Sequence, residues 1–400
     1  MLIQSLLQRL NVNRRLIPYG HQSVSEEDIA AVDRVLRSDW LTQGPSIDNF
    51  ERTVADYCHA TYGIAVNSAT SALHLACRSI GLGIGDTLWT SPNTFVASAN
   101  CARYCGAEVN FVDIDPKTYN MCPQALEEKL KKAELKNRLP KVLVPVHFAG
   151  QSCDMEAIAS LAKHYGIFVI EDASHAIGGQ YRGGKVGCCE YSDMVVFSFH
   201  PVKIITTGEG GMVVTKNFDW YEKLKLLRSH GITRDPDKIQ GAMDGPWDYK
   251  QIDLGYNYRM TDFQAALGSS QIRSLDEFVA RRHFLMERYN RLFEGFPVVT
   301  PWQRPEVQSS WHLYVVRLCL SEINKTRRQV FDSLQASGIG VNVHYIPVHM
   351  QPYYQALGFK KGDYPEAEKY YAEAITLPLF PTLKEDEQYY VVERLKKAFE

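Results

Sequence analysis

The chain has 400 residues, of which 45% are hydrophobic and 22% charged, with a formal net charge of −2. That length allows two or three domains and a sizeable core. The charge balance gives no global field for nucleic acid or an anionic membrane, so any phosphate ligand must be held by local groups. No stretch is apolar for long enough to cross a bilayer. Nine cysteines, two of them adjacent at Cys188 and Cys189 and none in C-x-x-C spacing, suit a reducing compartment rather than a disulfide framework. The expected location is the cytoplasm.

In chain order, "MLIQSLLQRLNVNRRL" places its arginines after the apolar residues, the reverse of a signal peptide. Residues 1–17 therefore read as a short amphipathic extension. "SEEDIAAVDRVLRS" predicts a helix after Ser25, with Glu26 and Glu27 in its first turn. "YGIAV", "DTLWT", "AEVNFVDID", "KVLVPVHF", "GIFVIEDA" and "DMVVFSF" read as buried strands. Between them, "SALHLACRSIGL", "VASANCARYCG" and "MEAIASLAKHYG" read as helices that end on glycine. Repeated strand–helix units imply a mostly parallel sheet covered on both faces. "TRDPDKIQGAMDGPWDYKQID" is polar and turn-rich, a loop. "RMTDFQAALGSSQIRSLDEFVARRHFLMERYNRLFEG" predicts one or two long helices. Beyond it, "HLYVVRLCL" and "GVNVHYIPV" read as strands around a helix, "TRRQVFDSLQAS". The predicted division is an extension (1–17), a large unit (18–265) and a smaller α+β unit (266–400).

Ligands of open α/β sheets bind outside the carboxyl ends of the strands. Three such ends carry useful groups. After "YGIAV", the run Asn67-Ser68-Ala69-Thr70-Ser71 opens a helix whose free N–H groups could form an anion cradle, although simple N-capping is the better reading of this run taken alone. After "GIFVIE" stands Asp172, followed by His175; a buried carboxylate needs a partner or a task, and a helix cap is one such task. After "DMVVF" come Ser198 and then Lys203, an amine among Phe197, Phe199, Val202, Ile204 and Ile205. A snorkelling lysine explains that window alone. Taken together, the three ends supply a phosphate site, an acid for a pyridine nitrogen and a lysine for a Schiff base, the set that pyridoxal phosphate requires. The apolar company of Lys203 predicts a lowered amine pKa. No G-x-G-x-x-G, G-x-S-x-G or P-loop pattern is present, and His344 and His349 are spaced poorly for a metal pair, so no metal is expected.

"NSATSAL", "SPNTFVASAN", "EDASHAIGG", "FSFHPVKIITTGEGGMVV", "LRSHGI" and "GYNYRMTDFQAALG" together resemble the DegT/DnrJ/EryC1/StrS family of sugar aminotransferases, from about Pro18 onward and in the same order. The resemblance implies a PLP-dependent transferase of fold type I, aspartate-aminotransferase-like, with a large mostly parallel sheet domain and a smaller C-terminal domain. It matches Lys203 to the Schiff-base lysine, Asp172 to the acid at the pyridine nitrogen, and His175 to the position beside the ring. Phe95 matches the residue stacked on the ring, and Ala69, Thr70 and Ser198 match phosphate contacts. Asn257 matches an asparagine that reaches the phosphate of the other subunit, which implies a homodimer with shared active sites. Tyr19, Leu41, Thr42, Gln43, Gly44, Ser68, His344, Tyr345, Ile346 and Pro347 match positions that touch a nucleotide sugar. "SDWLTQGP", "NSATSAL" and "FSFHPVK" further resemble the branch that serves pseudaminic acid synthesis. The implied substrates are L-glutamate and a UDP-linked 4-keto-6-deoxy-N-acetylhexosamine. The main rival is another nucleotide-sugar aminotransferase, of perosamine or viosamine type. A dehydratase of the family would carry histidine at Lys203, and a cofactor-binding regulator that has lost catalysis is the less favoured alternative, because Lys203, Asp172 and Ser198 are all intact.

Overall fold

The computed structural model describes residues 16–239 and 243–400; most of the amphipathic N-terminal extension lies outside them. Helix α1 (Glu26–Leu36) starts where expected. Asp28 N–H donates to Ser25 Oγ at 3.2 Å and Ser25 N–H to Asp28 Oδ2 at 2.9 Å, a reciprocal cap. Helix α2 (Pro45–Cys58) follows, with Ile47, Phe50, Val54 and Cys58 at helical spacing on its buried face.

The central sheet holds β1 (Tyr62–Val66), β2 (Thr87–Thr90), β3 (Glu108–Phe111), β4 (Val142–Val144), β5 (Phe168–Asp172), β8 (Met194–Ser198) and β9 (Gly211–Thr215). The short strands β6 (Gln180–Tyr181) and β7 (Gly184–Lys185) form a hairpin outside it. The order across the sheet is β1-β9-β8-β5-β4-β2-β3. Only β9 runs against its neighbours; the other pairings, β8–β5, β5–β4, β4–β2 and β2–β3, are parallel. Side chains alternate between faces as the pleat demands. Ile64, Val66, Val196 and Val213 enter one core, and Ala65, Val195, Phe197, Met212 and Val214 enter another. Helices α3 (Ala69–Ser79), α4 (Ala97–Tyr104) and, further on, α7 (Phe218–Arg228) cover the first face. Helices α5 (Pro123–Glu134) and α6 (Met155–Tyr165) pack Leu126, Leu130 and Ile158 over Trp89, Leu143 and Val169 on the other side. Each such aliphatic side chain contributes roughly 1.5–3 kcal/mol.

The polar excursion after residue 231 is tied at its base by β10 (Ile232–Thr233) and β11 (Lys250–Gln251). The long helical stretch divides into α8 (Asp262–Gln271) and α9 (Leu275–Leu292), joined by one tight turn at Ile272–Ser274. Helix α9 belongs to two cores: Leu275 and Val279 pack beside the central sheet, and Leu285, Met286 and Tyr289 pack in the C-terminal core. That second core surrounds β12 (Val298–Val299), β14 (Tyr314–Leu318) and β15 (Ala374–Leu377), with β13 (Val307–Gln308) returning to pair with β6. Helices α10 (Arg327–Ala336) and α13 (Glu385–Phe399) cover this smaller sheet, with the single turn α11 (Pro352–Gln355) and α12 (Pro365–Glu373) between them in the chain.

Two sequence expectations change here. "GVNVHYIPV" is not a strand: only Asn342 bridges Thr376, and the chain then leaves the sheet. Val341 sinks into the C-terminal core and Val348 into the central one, while Pro347 has no N–H to extend a ladder. Conversely "GMVVT" is β9, a strand that the repeating strand–helix pattern does not reveal, because it follows β8 without an intervening helix.

Arg282 locks α9 to its surroundings. The side chain is 1% exposed, and one guanidinium nitrogen donates to the carbonyls of Trp311, His312 and Leu379 at 3.2, 3.2 and 2.9 Å. No carboxylate pairs with it among the described residues, and burial lowers its pKa to about 9. Replacing Arg282 by Leu strands these carbonyls, and the expected loss of unfolding free energy is about 3 kcal/mol. Urea denaturation, read by the shift in midpoint at constant slope, measures it.

Candidate active site

The sheet register gathers the three useful strand ends. Gly211 pairs with Val66 on one side and Ser198 on the other, and Asp172 pairs with Val196. The ends of β1, β8 and β5 therefore open on the same edge, as the strand-end rule requires. They border a cavity of about 510 Å³. Tyr19, Ser68, Ala69, Thr70, Phe95 and Asp172 line it, and so do His175, Ser198, Lys203, His344, Tyr345 and Ile346. Leu41, Thr42, Gln43, Gly44, Asn257 and Pro347 lie outside its lining. Thr42 bridges Thr261, Gly44 N–H donates to Asp262 Oδ2 at 2.8 Å, and Asn257 bridges Ser229.

Lys203 sits in a turn closed by its own N–H on the His200 carbonyl at 2.9 Å. Its amine forms no hydrogen bond or ion pair among the described residues, and burial lowers its pKa to about 8, against the pull of Asp172. The direction is the expected one, but the apolar flanks work differently from the sequence reading. Phe197, Phe199, Ile204 and Ile205 point into the core behind the sheet with Phe50 and Met212. They anchor the turn from below and do not form walls of the cavity. Only Val202 of that group lines it.

Asp172 is fixed by three donors: Ser98 Oγ at 2.6 Å on Oδ2, and Ser174 Oγ at 2.6 Å and N–H at 3.1 Å on Oδ1. Thr94 Oγ1 lies 2.7 Å from Ser98 Oγ, and since Ser98 donates to Asp172, Thr94 donates to Ser98. Sequence reading singled out none of these hydroxyls. Ser174, two residues after an aspartate, had a signal in the Asx-turn spacing; Ser98, 74 residues upstream, had none. His312 and Asn342 also line the cavity unforeseen.

At the start of α3 the Ser68 side chain accepts from Ser71 N–H at 3.2 Å. The N–H groups of Ala69 and Thr70 and the Ser198 hydroxyl have no intrachain partner among the described residues, so they form a set of free donors at a positive helix end. Gly211 makes this possible. A Cβ there would stand 2.5 Å from the Ala69 nitrogen and the Ser68 carbonyl carbon. Thr206 and Thr207 hold the preceding bend through Phe199: Thr206 Oγ1 and Thr207 N–H both donate to its carbonyl, each at 3.0 Å.

A fixed carboxylate, an unpartnered amine and a row of free donors fit pyridoxal phosphate. Lys203 could hold its aldehyde carbon, Asp172 its ring nitrogen, and Ala69, Thr70 and Ser198 its phosphate. The profile of the DegT/DnrJ/EryC1/StrS aminotransferase family matches residues 22–396. The chain belongs to this family. It is 36% identical over 392 residues to the UDP-4-amino-4,6-dideoxy-N-acetyl-beta-L-altrosamine transaminase of Campylobacter jejuni subsp. jejuni serotype O:23/36 (strain 81-176), covering 96% of this chain and 100% of that one. Among solved structures it resembles Helicobacter pylori PseC, an aminotransferase involved in the biosynthesis of pseudoaminic acid, with a TM-score of 0.87 and 31% identity over 96% and 99% of the two chains. It also resembles the PLP-form of Spr1654 from Streptococcus pneumoniae, with a TM-score of 0.85 and 30% identity over 96% and 98%. The fold is that of the fold type I aminotransferases, and the protein is an enzyme of this family that uses pyridoxal phosphate.

Two outcomes follow. Gly211→Ala forces β9 and the α3 start apart, so the affinity for pyridoxal phosphate, followed by fluorescence titration of cofactor-free protein, falls about tenfold or more. The Lys203 amine is reactive only when neutral, so below pH 8 the rate of cofactor uptake rises about tenfold per pH unit and flattens above it. An unperturbed lysine would keep rising toward 10.5, and Lys203→Ala loses the Schiff-base absorption, leaving at most that of the free aldehyde.

Proposed function

We propose that the enzyme moves an amino group from L-glutamate to C4 of a UDP-linked 4-keto-6-deoxy-N-acetylhexosamine, as a step of pseudaminic acid biosynthesis. The observation that carries the chemistry is the partnerless Lys203 amine sharing one cavity with the fixed Asp172 carboxylate. Similarity to a transaminase named for a UDP-linked 4-amino-4,6-dideoxy sugar supports the substrate class. Bound pyridoxal phosphate supplies an electron sink for the carbon that exchanges its proton. Lys203 Nζ takes that proton and returns it, a task for which an amine near pH 8 is suited. Asp172 keeps the ring nitrogen protonated, Phe95 covers the ring, and Ala69, Thr70 and Ser198 hold the phosphate. His175 is kept neutral, chiefly by burial and further by Lys203, so it adds no competing charge.

Tyr19, Ser68, His344, Tyr345 and Ile346 would face the sugar nucleotide from this chain. Leu41–Gly44 and Asn257 lie elsewhere, and we assign them to the cavity of a second copy in a two-fold homodimer. Trp40 and Leu41 are exposed beside Thr42, and Leu254 is exposed shortly before Asn257, apolar surface that a second copy would cover. We also take residues 18–265 as the large cofactor unit and 266–400 as the small one, with α9 joining their cores.

The test is a panel of UDP- and dTDP-linked 4-keto sugars offered with L-glutamate, the products identified by mass and NMR. A 4-amino product from the UDP N-acetylhexosamine is expected, with twice the chain mass in sedimentation. Conversion of only a dTDP sugar would overturn the substrate, and an active monomer would overturn the shared site.

A further inference from the structure

The hydrogen bonds around His175 fix its tautomer. Ala149 N–H points at Nδ1 at 3.3 Å, so that nitrogen accepts. The ring is neutral, held so by burial and by the nearby Lys203 and His344. A neutral imidazole with an accepting Nδ1 carries its hydrogen on Nε2. Nε2 lies 3.2 Å from Tyr345 Oη and therefore donates to it. The phenol oxygen is an acceptor in this contact, and its own hydrogen must go elsewhere. No acceptor for it is present among the described residues. Burial, with the Asp172 charge, pushes the phenol well above its ordinary pKa, so the hydrogen stays on. Tyr345 lines the cavity.

The support behind this chain of bonds is extensive. Ser310 Oγ donates to the His175 carbonyl at 2.8 Å, and His312 N–H donates to the Ala149 carbonyl at 2.9 Å. The His312 ring packs on the His175 ring with centroids 4.4 Å apart. Tyr370 Oη donates to the His344 carbonyl at 2.8 Å, which holds the segment leading into Tyr345. A donor whose direction is set by this many partners is pre-organised in the sense that transition-state stabilisation requires.

We propose that Tyr345 is a catalytic hydrogen-bond donor to an oxygen of the bound ligand, and that His175 is the positioning residue that aims it by occupying the phenol lone pair. The ligand oxygen belongs either to the cofactor ring or to the carbonyl or carboxylate of a substrate. The inference rests on the reading of this cavity as the cofactor site, and its test separates the two: failure of the wild-type enzyme with every keto sugar strikes the proposed substrate, whereas the tests below use the glutamate half-reaction, the cofactor and the cofactor-free protein.

Tyr345→Phe removes only the hydroxyl. It is expected to fold and take up cofactor, and to lower kcat of the glutamate half-reaction about tenfold or more, with KM changed far less. Should the acceptor lie on the cofactor, its dissociation constant also rises and its absorption maximum moves. Should it lie on the substrate, both stay put while kcat alone falls. His175→Gln, whose amide can accept from Ala149 and donate to Tyr345, restores activity close to wild type. His175→Leu falls with Tyr345→Phe, and the double variant falls no further than Tyr345→Phe alone. In cofactor-free protein, nitrogen NMR of His175 shows the hydrogen on Nε2. Wild-type kcat in Tyr345→Phe, additive losses in the double variant, or a hydrogen on Nδ1 would each overturn the proposal.

Discussion

The site depends on one close contact between backbones. The single reversed strand, β9, begins at Gly211, and there it touches the peptide between Ser68 and Ala69 with no room for a side chain. Because Gly211 pairs with both Val66 and Ser198, that contact sets the start of α3, the end of β8 and the turn that carries Lys203 in one frame. A shift of a few tenths of an ångström in β9 would be passed on to all of them, since packed interiors transmit strain rather than absorb it.

Within that frame the electrostatics are divided cleanly. Asp172, in the cavity lining, has donors on both of its carboxylate oxygens, Ser98 on one and Ser174 on the other. Four imidazoles line the cavity among the described residues, His175, His200, His312 and His344; all are driven toward the neutral form, chiefly by burial, and Lys203 adds to each shift; His344 reaches about 3. Neutral rings add no competing charge, so the acidic and basic side chains left in the lining are Lys203, Asp172 and Glu209, and low polarity around them strengthens their interaction.

Much of this was legible in the residues. Apolar runs of four or five between helix signals marked six of the seven sheet strands, and polar residues just after three of them line one cavity. The signal failed where structure is set by distant partners. Nothing near Ser98 announces that it binds Asp172, and nothing in "GVNVHYIPV" shows that Val341 and Val348 are pulled into separate cores. The flanks of Lys203 are an instructive middle case: their apolar character was evident, but which way they faced depended on a sheet whose reversed strand was invisible to pattern. Residues 41–44 and Asn257 stood out only by resemblance, because they lie outside the lining of the cavity that gathers the strand ends.

Helix α9 brings a different kind of consequence. Its first turns are part of the core beside the central sheet and its later turns part of the C-terminal core, with Arg282 tied to three carbonyls between them. Neither core can come apart without exposing the side chains that α9 shares with the other. The chain is thus built to melt as one cooperative unit rather than in two stages. By the same token α9 is a strut and not a hinge: access for a substrate must come from the loops that line the cavity, to which Tyr19 and Ile346 belong, while the scaffold behind them stays rigid.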